Sequence, residues 1–149
     1  MINFQRTNSA DSGYLELVRL LDAELKLLDG DDHAFFGQYN KSDDIKNVIV
    51  CYSGNDAVGC GAFKYLAPGI VEIKRMYVKE SLRGKGIASE ILKNLEGWAK
   101  ELDFSECVLE TGQKQPEAIS LYYKSGYTRI PNYGQYANVV TSVCMKKEL

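Results

Sequence analysis

The sequence predicts an α/β fold built around a mixed β-sheet. Three observations point there. Segments with apolar residues at helical spacing alternate along the chain with short β-branched apolar runs. The middle of the chain holds consecutive runs separated by tight turns, which reads as antiparallel hairpins, whereas later runs are separated by helical segments. The 149 residues, 45% of them apolar, suffice for one sizeable core and show no linker or internal repeat, so one domain over residues 1–149 is expected.

The elements follow in order. Residues 2–6 alternate as a strand. Asn8 or Ser9 is placed to cap a helix carrying Leu15, Leu17, Val18, Leu21, Leu25 and Leu28, which ends at Gly30. Residues 31–40 suit a short helix. Asn47 to Tyr52 is a strand, Gly54-Asn55 a turn, and Ala57 to Leu66 the returning arm of the hairpin. Pro68-Gly69 turns the chain into a strand from Ile70 to Val78. A long helix is expected from Arg83 to Leu102, with Ile87, Ile91, Leu92, Leu95, Trp98 and Ala99 on its apolar face. Glu106 to Glu110 is a short strand. Pro116 suits the first turn of another helix, which stops at Gly126. Tyr127 to Ile130 and Asn138 to Met145 close the chain as strands.

Composition excludes several functions. A net charge of −2 gives no general attraction to nucleic acid or anionic membrane. The first residues carry no leader-like apolar run, and no apolar stretch approaches the roughly 20 residues a bilayer span needs. Cys51, Cys60, Cys107 and Cys144 are scattered, as reduced buried cysteines of a cytoplasmic protein would be, and with a single histidine no metal site is expected.

The most informative segment is Val71 to Leu92. A strand runs into Arg83-Gly84-Lys85-Gly86-Ile87-Ala88 and then a helix. Glycine lets backbone N–H groups approach a ligand closely, and a helix N-terminus presents unpaired N–H groups with a partial positive charge. The pair favours a phosphate group. A Walker A loop is excluded, because Lys85 is followed by Gly86 rather than Ser or Thr. A dinucleotide fingerprint is disfavoured, because Ser89 stands where its third glycine belongs.

Arg83, Gly86 and Ala88 form R-x-x-G-x-A, which resembles the acyl-CoA-binding motif of GNAT (GCN5-related) N-acetyltransferases. A second segment, Gln115 to Tyr127, is similar to that family's N-x-x-A-x-x-L-Y-x-K-x-G-F at Ala118, Leu121, Tyr122, Lys124, Gly126 and Tyr127, with Gln115 in place of Asn. The two motifs and their strands span roughly residues 45–147. The resemblance implies the GNAT fold: a mixed, mostly antiparallel sheet of six to seven strands flanked by about four helices.

It also implies direct acetyl transfer from acetyl-CoA to a primary amine of a small molecule or peptide. Backbone amides of Gly84, Lys85, Gly86, Ile87 and Ala88 would hold the pyrophosphate, with charge from Arg83 and Lys85. The pantetheine arm would run beside Met76, Tyr77 and Val78, with Gln115 as a further contact. A backbone amide near Met76 or Tyr77 would polarise the thioester oxygen. Tyr122 would protonate the departing thiolate.

For the proton the amine must lose, Glu72 is the leading base, with Glu110 or water as alternatives. Strand alternation places Glu72, Lys74, Met76 and Val78 on one face. Acceptor contacts are expected from residues 29–40, with Asp29, Asp31, Asp32, His33, Phe35, Phe36 and Tyr39, and from Asn132 to Tyr136. The family allows a homodimer. A GNAT module that binds acyl-CoA without transfer is the alternative, which turnover of any amine would exclude.

Overall fold

The computed structural model describes residues 1–29 and 44–149. Strand β1 runs Ile2–Thr7 and helix α1 Ser12–Asp29. The cap of α1 is Asp11, later than the Asn8 or Ser9 expected. The Tyr14 N–H donates to Asp11 Oδ1 at 3.0 Å. Asn8 and Ser9 are engaged otherwise: Asn8 Oδ1 accepts from the Ala10 N–H, and Ser9 Oγ from the Ile45 N–H, each at 2.9 Å. The expected helix over residues 31–40 lies outside the described residues.

Three antiparallel strands follow: β2 (Asn47–Ser53), β3 (Asp56–Ala67) and β4 (Ile70–Val78). Helix α2 spans Ile87–Glu101, shorter than expected at its start. Glu80–Leu82 forms one 3-10 turn instead, and Arg83 to Gly86 stay outside the helix. Beyond it come β5 (Glu106–Gly112), α3 (Pro116–Lys124), β6 (Thr128–Ile130) and β7 (Ser142–Glu148). Strand β7 begins later than the Asn138 expected. The intervening backbone N–H groups bond locally instead, Tyr136 to Tyr133 and Val139 to Tyr136 at 2.9 Å, and Ser142 to Val139 at 3.0 Å.

The seven strands form one mixed sheet in the order β1-β2-β3-β4-β5-β7-β6. Helix α2 covers one face, where Ile91, Leu92 and Leu95 pack on Ile49, Phe63 and Ile73. Helix α1 covers the other, with Tyr14, Leu17 and Val18 on Val48, Val50 and Ala62. Leu15, counted in the apolar series, is 48% exposed, because Tyr14 takes the inward position one residue earlier. Burying each such side chain contributes about 1.5–3 kcal/mol. The four cysteines are free and buried.

Two irregularities position the site. All neighbouring strands are antiparallel except β4 and β5, which pair in parallel only over Ile70–Glu72 and Glu106–Val108. Beyond those three pairs β4 stays with β3 and β5 with β7, so the sheet splays open. The second irregularity is a bulge in β4. Arg75 and Met76 oppose the single residue Gly61, and Arg75 has φ 59°, the left-handed region rare for non-glycine residues.

The extra residue reverses the alternation expected for β4. Val71 and Ile73 face α2 before it, and Met76 and Val78 face α2 after it, while Tyr77 packs with the α1 cluster. Glu72 and Lys74 therefore do not share a face with Met76 and Val78. Arg75 reaches toward α1, where its guanidinium donates to Asp22 Oδ1 at 2.7 Å.

Candidate active site

The splay between β4 and β5 opens into a cavity of about 100 Å³, lined by Glu72, Lys74 and Met76 from β4, Glu110 from β5 and Tyr122 from α3, with Tyr136 beside them. Small-molecule sites usually span roughly 300–1,000 Å³. The cavity is therefore the size of a reacting centre, not of a whole cofactor.

Glu72 is 3% exposed, yet both its oxygens have partners. The Tyr133 hydroxyl donates to Oε2 at 2.6 Å, and Lys74 Nζ lies 3.7 Å from Oε1. Burial lowers the Lys74 ammonium below its ordinary value, and the Glu72 carboxylate offsets this only in part. Across the splay, Glu110 Oε2 accepts from the Ser142 hydroxyl at 2.8 Å.

Tyr122 comes from the opposite wall. It is 6% exposed and packs edge-on against Tyr127, ring centroids 5.8 Å apart. Burial, reinforced by the Glu110 carboxylate, holds its phenol well above the usual range, so it carries its proton at any physiological pH. Burial and then Glu110 and Glu72 act in the same direction on Tyr136. Gln115 sits at the start of α3 and also lines the cavity; its side chain makes no capping bond to the helix.

At the far end of β4 stands the glycine loop. Gly84 and Gly86 have φ 79° and 85°, conformations that side chains with a Cβ disfavour, and a Cβ on either would meet nothing within 4 Å. Gly86 is the residue before α2, and no side chain caps that helix start. The amides of Ile87 and Ala88 open the helix there, with the partial positive charge of a helix N-terminus.

Arg83 is engaged within the chain. Its Nε donates to the Val78 carbonyl and its terminal amino group to Glu24, both at 2.8 Å, and its guanidinium lies 5.4 Å from the Tyr77 ring centroid. Its charge braces the end of β4 against α1, and Lys85 adds a further exposed cation to the loop.

The cavity thus brings together Glu72, Met76, Gln115 and Tyr122 of the expected site, with Glu110 beside them. Tyr77, Val78 and the loop from Arg83 to Ala88 continue from it along β4 and past its end. Residues 30–40, expected on the acceptor side, lie outside the described residues, as does the side chain of Asp29. Sequence reasoning put Lys74 on the strand face of Glu72 without giving it a role in the site, and gave Tyr133 no contact with Glu72. Lys74 had a signal, a lysine inside a central strand; the Tyr133 contact, 61 positions away in sequence, had none. Among the described residues no group of His, Cys, Asp or Glu could hold a metal ion, and no helix is long and apolar enough to cross a membrane.

A family model described as the acetyltransferase (GNAT) family matches residues 15–127. The chain is 36% identical over 107 residues to IAA acetyltransferase of Azospirillum brasilense, covering 71% of this chain and 69% of that protein. It is 30% identical over 145 residues to the uncharacterized N-acetyltransferase YjgM of Escherichia coli, covering 95% and 79%. A candidate acyl-CoA N-acyltransferase from Klebsiella pneumoniae has a crystal structure that superposes with a TM-score of 0.83 at 29% identity, over 100% of this chain and 98% of that one. PaiA N-acetyltransferase from Thermoplasma acidophilum, crystallised with coenzyme A, shares the fold with a TM-score of 0.74 at 18% identity, over 100% and 99%.

Proposed function

The chain belongs to the GNAT acetyltransferase family, and on that premise we propose that it transfers the acetyl group of acetyl-CoA directly to a primary amine of a small molecule or peptide. The observation that carries this reading is the placement of Glu72 and Tyr122 on opposite walls of one cavity, at the point where β4 and β5 part. A proton acceptor on one side and a proton donor on the other is what aminolysis of a thioester needs.

The residues present fit the cofactor. The Gly84 and Gly86 backbone borders open space, and α2 begins without a side-chain cap, so the amides from Gly84 to Ala88 suit a pyrophosphate. Lys85 adds an exposed positive charge. The stretch of β4 past Glu72, including Met76, Tyr77 and Val78, has no β5 partner and offers its edge to the pantetheine arm, with Gln115 nearby. Bound there, acetyl-CoA would supply an acyl group activated as a thioester.

The chain's own groups do the rest. Glu72 takes the proton that an incoming ammonium must lose. A backbone amide near Met76 or Tyr77 donates to the carbonyl oxygen as negative charge gathers on it. Tyr122, held neutral by burial, gives its phenolic proton to the departing sulfur. Fixing the amine and acyl donor together in a cavity this small removes much of the entropic barrier to their reaction.

Calorimetric titration with acetyl-CoA, CoA and NAD tests the cofactor, followed by a turnover screen over polyamines, amino acids, aminoglycosides and a lysine peptide. Saturable binding of acetyl-CoA but not NAD, with turnover of at least one amine, is expected. Folded protein that leaves acetyl-CoA unbound would overturn the reading.

A further inference from the structure

Beyond the three β4–β5 pairs, Tyr133 reaches from the segment between β6 and β7 to β4, and its hydroxyl donates to Glu72 Oε2 at 2.6 Å. This is the short length of a hydrogen bond onto a charged oxygen.

The segment that carries Tyr133 is tightly held. The Tyr136 N–H donates to the Tyr133 carbonyl at 2.9 Å in the 3-10 turn Gly134–Tyr136. The Asn132 side-chain amide donates to the Val139 carbonyl at 2.9 Å. The Tyr133 ring meets Tyr136 edge-on, centroids 6.0 Å apart. Burial, and then Glu72 itself, keeps the Tyr133 phenol protonated, so it can only donate toward that carboxylate.

Lys74 is a looser partner, 3.7 Å from the other oxygen. Among the described residues, the further charged or titratable groups around Glu72 include Lys64, its cross-strand neighbour on β3, Glu110 on β5, Tyr122 on α3, Tyr136, and Cys144 on β7. An untethered glutamate would turn about its side-chain bonds toward Lys74 or away from the cavity.

We propose that Tyr133 is the positioning residue for Glu72, fixing the rotation of the carboxylate so that its remaining lone pairs meet the acceptor ammonium. The proposal rests on the reading of Glu72 as the general base. Tyr133 then acts only through Glu72 and touches neither the acyl group nor the amine.

The test is a double-mutant cycle with Tyr133→Phe and Glu72→Gln, using the panel amine that turns over fastest. Tyr133→Phe keeps the ring and its packing on Tyr136. At neutral pH it is expected to lower kcat about tenfold, with acetyl-CoA KM unchanged, and Glu72→Gln to lower it about 100-fold. Added to Glu72→Gln, Tyr133→Phe should cost less than about twofold more. Both deficits should shrink as pH rises past the acceptor's own pKa, because an amine already neutral needs no base. A tenfold further loss in the Glu72→Gln background, a deficit that persists at alkaline pH, or wild-type turnover by Tyr133→Phe would overturn the positioning role. Wild-type turnover by Glu72→Gln would instead remove the base, and the proposal with it.

Discussion

Gly61 on β3 lies directly beneath Met76 on β4: a Cβ on the glycine would sit 2.5 Å from the methionine sulfur, and 2.9 Å from both Ile91 Cγ2 and Leu95 Cδ1. The bulge that turns Met76 toward α2 is accommodated because its partner has no side chain. Gly61→Ala is expected to displace Met76, destabilise the fold by about 1–3 kcal/mol and weaken acetyl-CoA binding. A thermal melt reads the first effect, at about 2–4 °C per kcal/mol for a chain of this size, and calorimetry the second. Wild-type values for both would show that the contact is not needed to set the β4 edge.

Tyr122→Phe removes the proposed proton donor while keeping the ring that packs on Tyr127. The expected result is a fall in kcat of about 100-fold with acetyl-CoA affinity within about twofold of wild type. Steady-state kinetics beside calorimetry separates the two. Unchanged kcat, with chemistry shown to limit the rate, removes Tyr122 from the mechanism.

Gly86→Glu places a carboxylate where an anion is expected to bind, on a backbone at φ 85°. Nothing lies within 4 Å of the new Cβ, so the fold should survive with a loss of about 1 kcal/mol from the left-handed conformation. Acetyl-CoA affinity should fall by more than about tenfold through charge repulsion at the helix start. Retained affinity in folded protein would discredit the loop as the phosphate site.

Tyr122, Tyr127, Tyr133 and Tyr136 all have phenols raised above their ordinary value, with burial the largest cause in each. The native state therefore holds protons that the unfolded chain gives up near pH 10. The stabilisation is complete below that pH and lost as pH rises toward the folded values, each group contributing up to about 1.4 kcal/mol per pH unit. In an alkaline titration the phenolate absorbance of these four should rise together with the loss of circular dichroism. Ionisation near pH 10 with the fold intact would contradict their burial.

Much of the sheet was legible in the sequence because strand alternation and turn residues are local signals. Ile70 to Val78 was delimited to the residue, since Pro68-Gly69 fixes its start. The glycine loop was legible for the same reason. The interior of β4 was not: its bulge comes from the pairing of Arg75 and Met76 with Gly61, which a period-two pattern along one strand does not record. The start of α1 was misread because Ser9 bonds to Ile45, 36 positions away, leaving Asp11 to cap. Likewise, Glu72 stood out as a charge in a central strand, but its tether, Tyr133, lies in a loop whose aromatic content suits a core equally well.

The parting of β4 and β5 gives the sheet a third rim, in its interior. Outer rims such as β1 and β6 display backbone groups to any passing chain, and proteins guard them against runaway self-association. The inner rim is guarded by its surroundings, because α1 and α2 flank β4 on either face. A strand entering there would need space on both faces, which α1 and α2 occupy, whereas a slender linear molecule needs only the edge. The chain thereby keeps a stretch of β4 without a β5 partner available for docking, without the risk of amyloid-like growth that an exposed edge would bring.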